Sequence, residues 1–271
     1  VRIQKVKSLK KMGIVPYAQG FEKQVMIWDL VKQHGQSLSW KSAFRNSEEI
    51  IEKADRSVKT AGRITLSRTH WKLWFAKIMD ETGEIQLMFH KWSYTIARTK
   101  WGDVIEELHE LTDGENTISS HKFVEKMVDV GDWVWVEWEL FYTHKGELTI
   151  FVSLLYFLSK SIRPLGDKFH GIAGQESAYR QRYLDMIHNR ETLDRMKLRS
   201  KFVRILREFY WKEGFVEIET PVLWTAASWA AAKPFVTYHE DFGMDMYLHI
   251  APEIGLKKAT VWWLEKVFEF S

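Results

Sequence analysis

No cysteine occurs in the 271 residues, which removes disulfide cross-links and thiolate metal sites and fits a reducing compartment. No apolar run approaches the roughly 20 residues needed to cross a bilayer. The opening VRIQKVKSLKKMG is basic but lacks a long apolar segment followed by a cleavage site. Neither secretion nor a membrane span is expected, and the default compartment is the cytoplasm. Strong net charge is missing too: 39 Lys and Arg against 36 Asp and Glu leave +3, too weak a field to argue for a nucleic-acid partner by itself. The ten histidines show no metal spacing; His90, His109, His121 and His239 stand alone, without an HxxxH pair and a nearby acid. No metal site is read.

What is present is apolar and aromatic. An apolar content of 45% is enough to bury a real core, in one large domain or two ordinary ones. Fourteen tryptophans are more than the core of such a chain accommodates without displacing neighbours. Residues 1–21 hold Arg2, Lys5, Lys7, Lys10 and Lys11 with no acid, while Ile3, Val6 and Leu9 recur at helical spacing. That is a basic amphipathic helix, open to two readings: a solvated charged face or a nucleic-acid contact.

From Ser57 to about Ser159 the chain changes to short runs rich in Val, Ile, Thr and aromatics: SVKTAGRITL, LWFAKIMD, EIQLMFH, DWVWVEWELFY and ELTIFVSLLYFL. DETG and THKG supply acidic and glycine residues for tight hairpins. Between the third and fourth strands, WGDVIEELHEL and SHKFVEKMVDVGD read as helix with a polar break at 112–120. Five strands with an inserted helix match the order of an OB-fold, a partly open barrel that presents one face to single-stranded nucleic acid. SKSIRPLGDKFHG reads as a linker. A helix is expected over 191–213, with Phe202, Val203, Leu206, Phe209 and Tyr210 on one face and Gly214 at its end. FVEIET reads as a strand stopped by Pro221. A strand pair at 234–238 and 245–250, a helix from Pro252 to about Lys258, and a strand beginning at KVFEFS follow.

Long helix, glycine, alternating strand and proline in LREFYWKEGFVEIETP resemble the first motif of the class II aminoacyl-tRNA synthetases. With RPLGDKFHG, YRQRYLDMIHN, AAAKPFVTYH and DMYLHIAPEIGLKKA around it and the barrel before it, the chain is similar to the bacterial-type lysyl-tRNA synthetases from VKSLKKMGIVPYAQGF to EKVFEF. The aspartyl and asparaginyl enzymes share the architecture but not the AxxAKPF and IAPE wording. The resemblance implies an α+β chain: a helical extension over 1–56, an OB-fold anticodon-binding domain over 57–160, a linker over 161–178, and the start of a class II antiparallel α/β catalytic domain over 179–271, its first motif at about 199–221.

It also implies a two-step ligase, in which lysine attacks the α-phosphate of ATP and the tRNA ribose then attacks the lysyl-adenylate. ATP and Mg²⁺ are the implied cofactors; L-lysine and lysine tRNA are the substrates; a homodimer forms through the first motif. By resemblance Glu253 holds the α-ammonium of lysine, a charge-assisted contact, with Ala230 and Trp229 beside the same pocket. Read from the residues alone, Glu253 is an acid at a helix N-terminus after Pro252. On the barrel the resemblance implies that Phe75 stacks on an anticodon base, Gln86 and Glu147 bond base edges, and Arg63 or Arg68 meets phosphate or base. Each residue type suits its task, although singly each also reads as core or as a solvated strand residue.

The wording departs from the family in two ways. Glycine is expected at Trp229, Trp262 and Trp263 and, in the barrel, at Trp71, Trp135 and Trp138, while His249 stands where arginine is usual. Indole cannot replace glycine where positive φ or close approach is needed, so Trp229 is expected to crowd the lysine pocket. The second and third motifs, with the phosphate-gripping arginine and the Mg²⁺-holding acids, are expected downstream of Ser271. No catalytic residue is therefore assigned, and this portion is expected to be inactive alone. The alternative is a non-catalytic RNA-binding OB-fold module carrying a synthetase-like remnant.

Overall fold

Two residues per side-chain repeat decide the larger part of this protein. In the computed structural model, residues 1–21, 23–34, 58–100, 102–114, 116–143, 146–165, 174–226 and 232–270 are described. They form two units, Val1–Ala173 and Gly174–Ser271. No helix among them is long and apolar enough to cross a membrane.

The first unit starts with helices α1 (Arg2–Lys11) and α2 (Ile27–His34). Strands β1 (Val58–His70), β2 (Leu73–Met79) and β3 (Glu84–His90) then make an antiparallel meander. After the hairpins β4 (Thr95–Lys100) with β5 (Asp103–Leu108) and β6 (Glu110–Thr112) with β7 (Thr117–Ser119) come helix α3 (Ser120–Met127) and the long strands β8 (Trp133–Tyr142) and β9 (Leu148–Ser159). β1 pairs with β8, and β9 returns parallel to β3, which closes a five-stranded barrel. That is the OB-fold order expected from sequence, with β4–β5 added to the outer side of β9.

The expected helix over 101–111 is corrected: Asp103–Leu108 and Glu110–Thr112 are strand. Val104, Ile105, Leu108 and Leu111 sit at helical spacing, but β4 lies beside them with open backbone groups, and Ile96↔Leu108 and Ala97↔Glu107 pair across it. An Arg98–Glu106 ion pair adds to that ladder. Only the second half of the expected insertion, α3, is helical; its Ser119 hydroxyl caps the Lys122 amide.

Alternation fills the barrel. Trp74, Ala76 and Ile78 of β2, Ile85, Leu87 and Phe89 of β3, and Val134, Val136, Leu140, Ile150 and Val152 of β8 and β9 turn inward, where Phe123, Leu9 and Ile27 from the three helices join them. Two carboxylate clusters fasten the helices. Asp80, at the β2–β3 turn, accepts from the Thr82 and Gly83 amides and from the Ile27 amide that opens α2, and pairs with Lys23. Although burial raises the pKa of Asp80, these donors hold it well below the usual carboxylate range. At the far end of the barrel, the fully buried Lys160 ammonium binds Asp132, also fully buried, at 2.7 Å, the Met127 carbonyl at 3.0 Å, and Asp129. Asp129 in turn takes Lys5 of α1 at 2.8 Å, while Arg2 donates to the Val130 and Ser161 carbonyls. Burial raises the pKa of Asp132 even with Lys160 beside it, whereas the pair of lysines outweighs burial at Asp129 and lowers its pKa.

The second unit holds α4 (Gln175–Arg180), α5 (Arg182–His188) and the long α6 (Arg190–Lys212). Gly214, at φ 81°, ends α6. β10 (Val216–Glu217) runs parallel to β14 (Val267–Phe268), and β11 (Leu223–Trp224), β13 (Met244–Leu248) and β12 (Val236–His239) form an antiparallel sheet, with α7 (Glu253–Val261) before β14. The apolar residues of α6 divide between two faces rather than sharing one. Tyr210 stacks on Phe268 at 4.7 Å and meets Phe215 and Phe270 by their edges, while Leu198, Phe202, Ile205 and Phe209 form a stripe open to solvent.

Among the described residues every non-glycine at positive φ is a tryptophan: Trp71, Trp92 and Trp263. That backbone costs an L-residue about 1–2 kcal/mol. Trp135 is buried with its indole N–H unpaired, a further cost. The side chain of Trp138 lies outside the described residues.

Two outcomes are expected. Lys160→Met strands the Asp132 carboxylate in the interior, and a lowering of stability by about 3–5 kcal/mol should be read as a fall in the urea midpoint. Asp80 has a folded pKa below its unfolded value of about 3.9, so its stabilisation is complete above that value and is lost as pH falls through the folded pKa. The urea midpoint should therefore begin to drop below about pH 5 and keep falling as the pH is lowered towards the folded pKa, and Asp80→Asn should flatten part of that dependence.

Candidate functional site

The inward set of β2 and β3 leaves an outward set, and the expected anticodon residues fall on it. Phe75 is half-buried at the centre of β2, directly across from Arg68 on β1 and Met88 on β3. Opposed residues of an antiparallel pair project to the same face, so the exposed Arg68 flanks the ring. Phe75 and Leu73, both partly exposed, pack on the buried apolar cluster of Met88, Phe141 and Phe151, which supports the Phe75 ring from below. Gln86 lies two pairs further along, opposite Lys77 and Thr149, and its amide donates to the Thr149 hydroxyl at 3.0 Å. Glu147, at the turn into β9, binds Lys77 at 2.7 Å; Glu84 reaches the same ammonium at 3.3 Å.

Lys77 is the member that sequence reasoning missed. Its signal was available, since it follows Phe75 by two residues and a strand returns such a residue to the same face. The hydrogen bond that Lys77 donates to Glu147 raises the pKa of Lys77, against burial and with both carboxylates helping. A cation between two carboxylates, beside an amide and an aromatic platform, offers donors and acceptors to a planar base edge together with a surface for stacking.

Arg63 is occupied elsewhere. Its guanidinium donates to the Gly131 carbonyl at 3.2 Å and lies 5.1 Å from the centre of the Trp133 ring. Burial lowers its pKa, with Asp132 opposing. Of the two arginines considered, Arg68 is the one beside Phe75.

In the second unit, Glu253 opens α7 after Pro252 and is exposed, with the Lys257 ammonium 2.7 Å from its carboxylate one turn on. That hydrogen bond lowers the Glu253 pKa. α7 can sit close to the segment before it because Gly255 has no Cβ; one there would meet Thr220 Cγ2 at 2.4 Å. Trp224 donates to the Pro221 carbonyl at 2.6 Å, which His249 also meets at 3.1 Å, and Lys258 of α7 lies 4.7 Å over its ring. Trp229 and Ala230, and with them the expected crowding of the pocket, lie outside the described residues. Among the described residues no three His, Asp or Glu side chains converge to hold a metal ion.

Residues 58–156 match the family described as OB-fold nucleic acid binding domain. Residues 174–271 match tRNA synthetases class II (D, K and N). Similar curated proteins include the lysine–tRNA ligases of Carboxydothermus hydrogenoformans, 38% identical over 271 residues, and Lactiplantibacillus plantarum, 39% over 269; these alignments take in 100% and 99% of this chain and 48% of each relative. The lysine–tRNA ligase of Thermotoga maritima is 37% identical over 268 residues, 99% of this chain and 47% of the relative. The chain thus spans about half the length of the curated relatives it matches.

Proposed function

The chain is a homologue of the lysine–tRNA ligases along its whole length, and from that premise we propose that it serves the ATP-dependent attachment of lysine to its tRNA, in the cytoplasm. In this reading the outer barrel face binds the anticodon. Phe75 stacks on a base, Arg68 meets a phosphate or base, and Gln86 and Glu147 bond base edges. The observation that carries it is the convergence of these side chains, with Lys77, on one side of β2, β3 and β9. Half-exposed ion pairs are weak enough to be exchanged for contacts with RNA.

Glu253 is proposed as the ligand of the α-ammonium of lysine. The support is chemical: this exposed carboxylate already carries an ammonium, that of Lys257, which an incoming amino acid would replace with a group of the same kind. The open stripe of α6, Leu198, Phe202, Ile205 and Phe209, supports self-association, because large uncovered apolar patches are rare on monomers. The second reading, an RNA-binding module without adenylation, draws on the match of residues 58–156 to the OB-fold nucleic acid binding family.

Titration with the lysine-tRNA anticodon stem-loop beside an ATP–pyrophosphate exchange assay, both run on the protein isolated from its own cells, separates the two. Binding with lysine-dependent exchange supports the ligase; binding alone favours the module. Phe75→Ala should weaken stem-loop binding by about 1–3 kcal/mol, and no change in affinity would remove Phe75 from the interface. Phe202→Glu combined with Ile205→Glu should shift sedimentation from dimer to monomer, and a parent protein that already sediments as a monomer refutes the dimer.

A further inference from the structure

Three tryptophans occupy three kinds of backbone slot, each of which belongs to glycine for its own reason. His70 pairs with Leu73, so Trp71 and Lys72 form a two-residue hairpin loop. Trp71 has φ 54° while Lys72 is not at positive φ, which is the type II′ arrangement, with glycine at its first central position. Trp92 has φ 80° in the turn closed by the Ser93 amide on the His90 carbonyl at 3.1 Å. It is the third residue of that turn, where a type II geometry calls for glycine. Trp263, also at φ 80°, follows the last residues of α7 and donates its amide to the Thr260 carbonyl at 3.2 Å, the C′ position at which helices end on a left-handed glycine.

The remaining positive-φ residues among those described are nine glycines. No asparagine or aspartate, the side chains that best tolerate this region, shares it. A residue type that supplies 14 of 271 positions thus fills every non-glycine slot of this kind among the described residues.

The side chains give no reason for being there. Trp71 is 91% exposed and Trp263 92%; Trp92 is exposed, with the ammonium of its neighbour Lys91 4.8 Å from its ring centre. Compare Trp74, at ordinary φ, buried in the barrel with its indole N–H 2.8 Å from the Ser67 hydroxyl. That position is built for an indole; the three turn positions are built for no side chain at all.

We propose that the cell that makes this protein inserts glycine at positions 71, 92 and 263, through a codon that it reads as glycine and that other cells read as tryptophan. The triplet UGA has this property: it is a stop signal in most cells, tryptophan in some and glycine in others. A single decoding difference changes every such position at once and leaves the rest of the chain untouched. Three independent substitutions into the worst-suited slots would need three separate accidents. The proposal rests on backbone geometry and stands whether or not the ligase reading does.

Peptide mass spectrometry of the protein isolated from its own cells tests it directly. Trypsin releases residues 69–72, 92–98 and 259–266, each spanning one of the positions. Every one of these peptides should be lighter by the difference between tryptophan and glycine at that position; tryptophan at any of the three overturns the proposal. A second measurement checks the stereochemical premise. Recombinant protein carrying Trp71→Gly, Trp92→Gly and Trp263→Gly should melt several degrees above the tryptophan form, and an unchanged or lowered midpoint counts against it.

Discussion

A strand returns every second side chain to the same face, and both the core and the reading surface of the barrel depend on that one constraint. On β2 it sends Trp74, Ala76 and Ile78 inward and Leu73, Phe75 and Lys77 outward. A slip by one residue would exchange the two sets, burying a lysine and expelling an indole. The register is fixed where β2 turns into β3, because Asp80 gathers the amides of Thr82 and Gly83 on one carboxylate. The same carboxylate takes the Ile27 amide of α2. One side chain therefore sets the pairing of the two strands that bear Phe75 and Gln86 and also docks a helix against them.

Charges at the two ends of the barrel behave differently because their burial differs. Lys160 and Asp132 have no exposed side-chain surface, so removing Lys160 leaves the Asp132 carboxylate buried with only the Asp129 and Ser161 amides to meet it, and the cluster acts as a permanent fastening between α1, the end of α3 and the end of β9. The Lys77 ammonium with Glu84 and Glu147 is only partly covered. Water can replace those contacts at little cost, and so can a nucleotide. The difference between structure and site is here a difference in desolvation, not in residue type.

Much of this was legible in the sequence. The five barrel strands announce themselves by β-branched and aromatic alternation, and 191–213 by its helical stripe. The stretch 101–111 was misread because its apolar residues fit a helical period while the edge of β4, which captures it, lies outside any local window. Arg63 and Arg68 could not be separated by type or spacing. Only register shows that Arg68 faces Phe75, while Arg63 is held by the Gly131 carbonyl. The two faces of α6 were merged for the same reason: a stripe of period 3.6 shows that a helix has apolar faces, but the partner of each face comes from Phe215, Phe268 and Phe270, distant in sequence.

Tryptophan carries two requirements that sequence cannot display, a partner for its N–H and a φ its Cβ can tolerate. Trp224 meets the first through the Pro221 carbonyl, and its ring face takes Lys258. It thereby ties the 221–224 segment to α7, the helix that presents Glu253 and whose approach Gly255 permits. Trp135 meets the second requirement but not the first: its ring packs edge-on against Tyr156 at 4.2 Å while its N–H stays buried without a partner. Trp71, Trp92 and Trp263 fail the second. Similarity to a family marks such positions only as departures, whereas backbone angle and hydrogen-bond satisfaction separate an indole that holds a loop in place from one that occupies a slot shaped for a hydrogen atom.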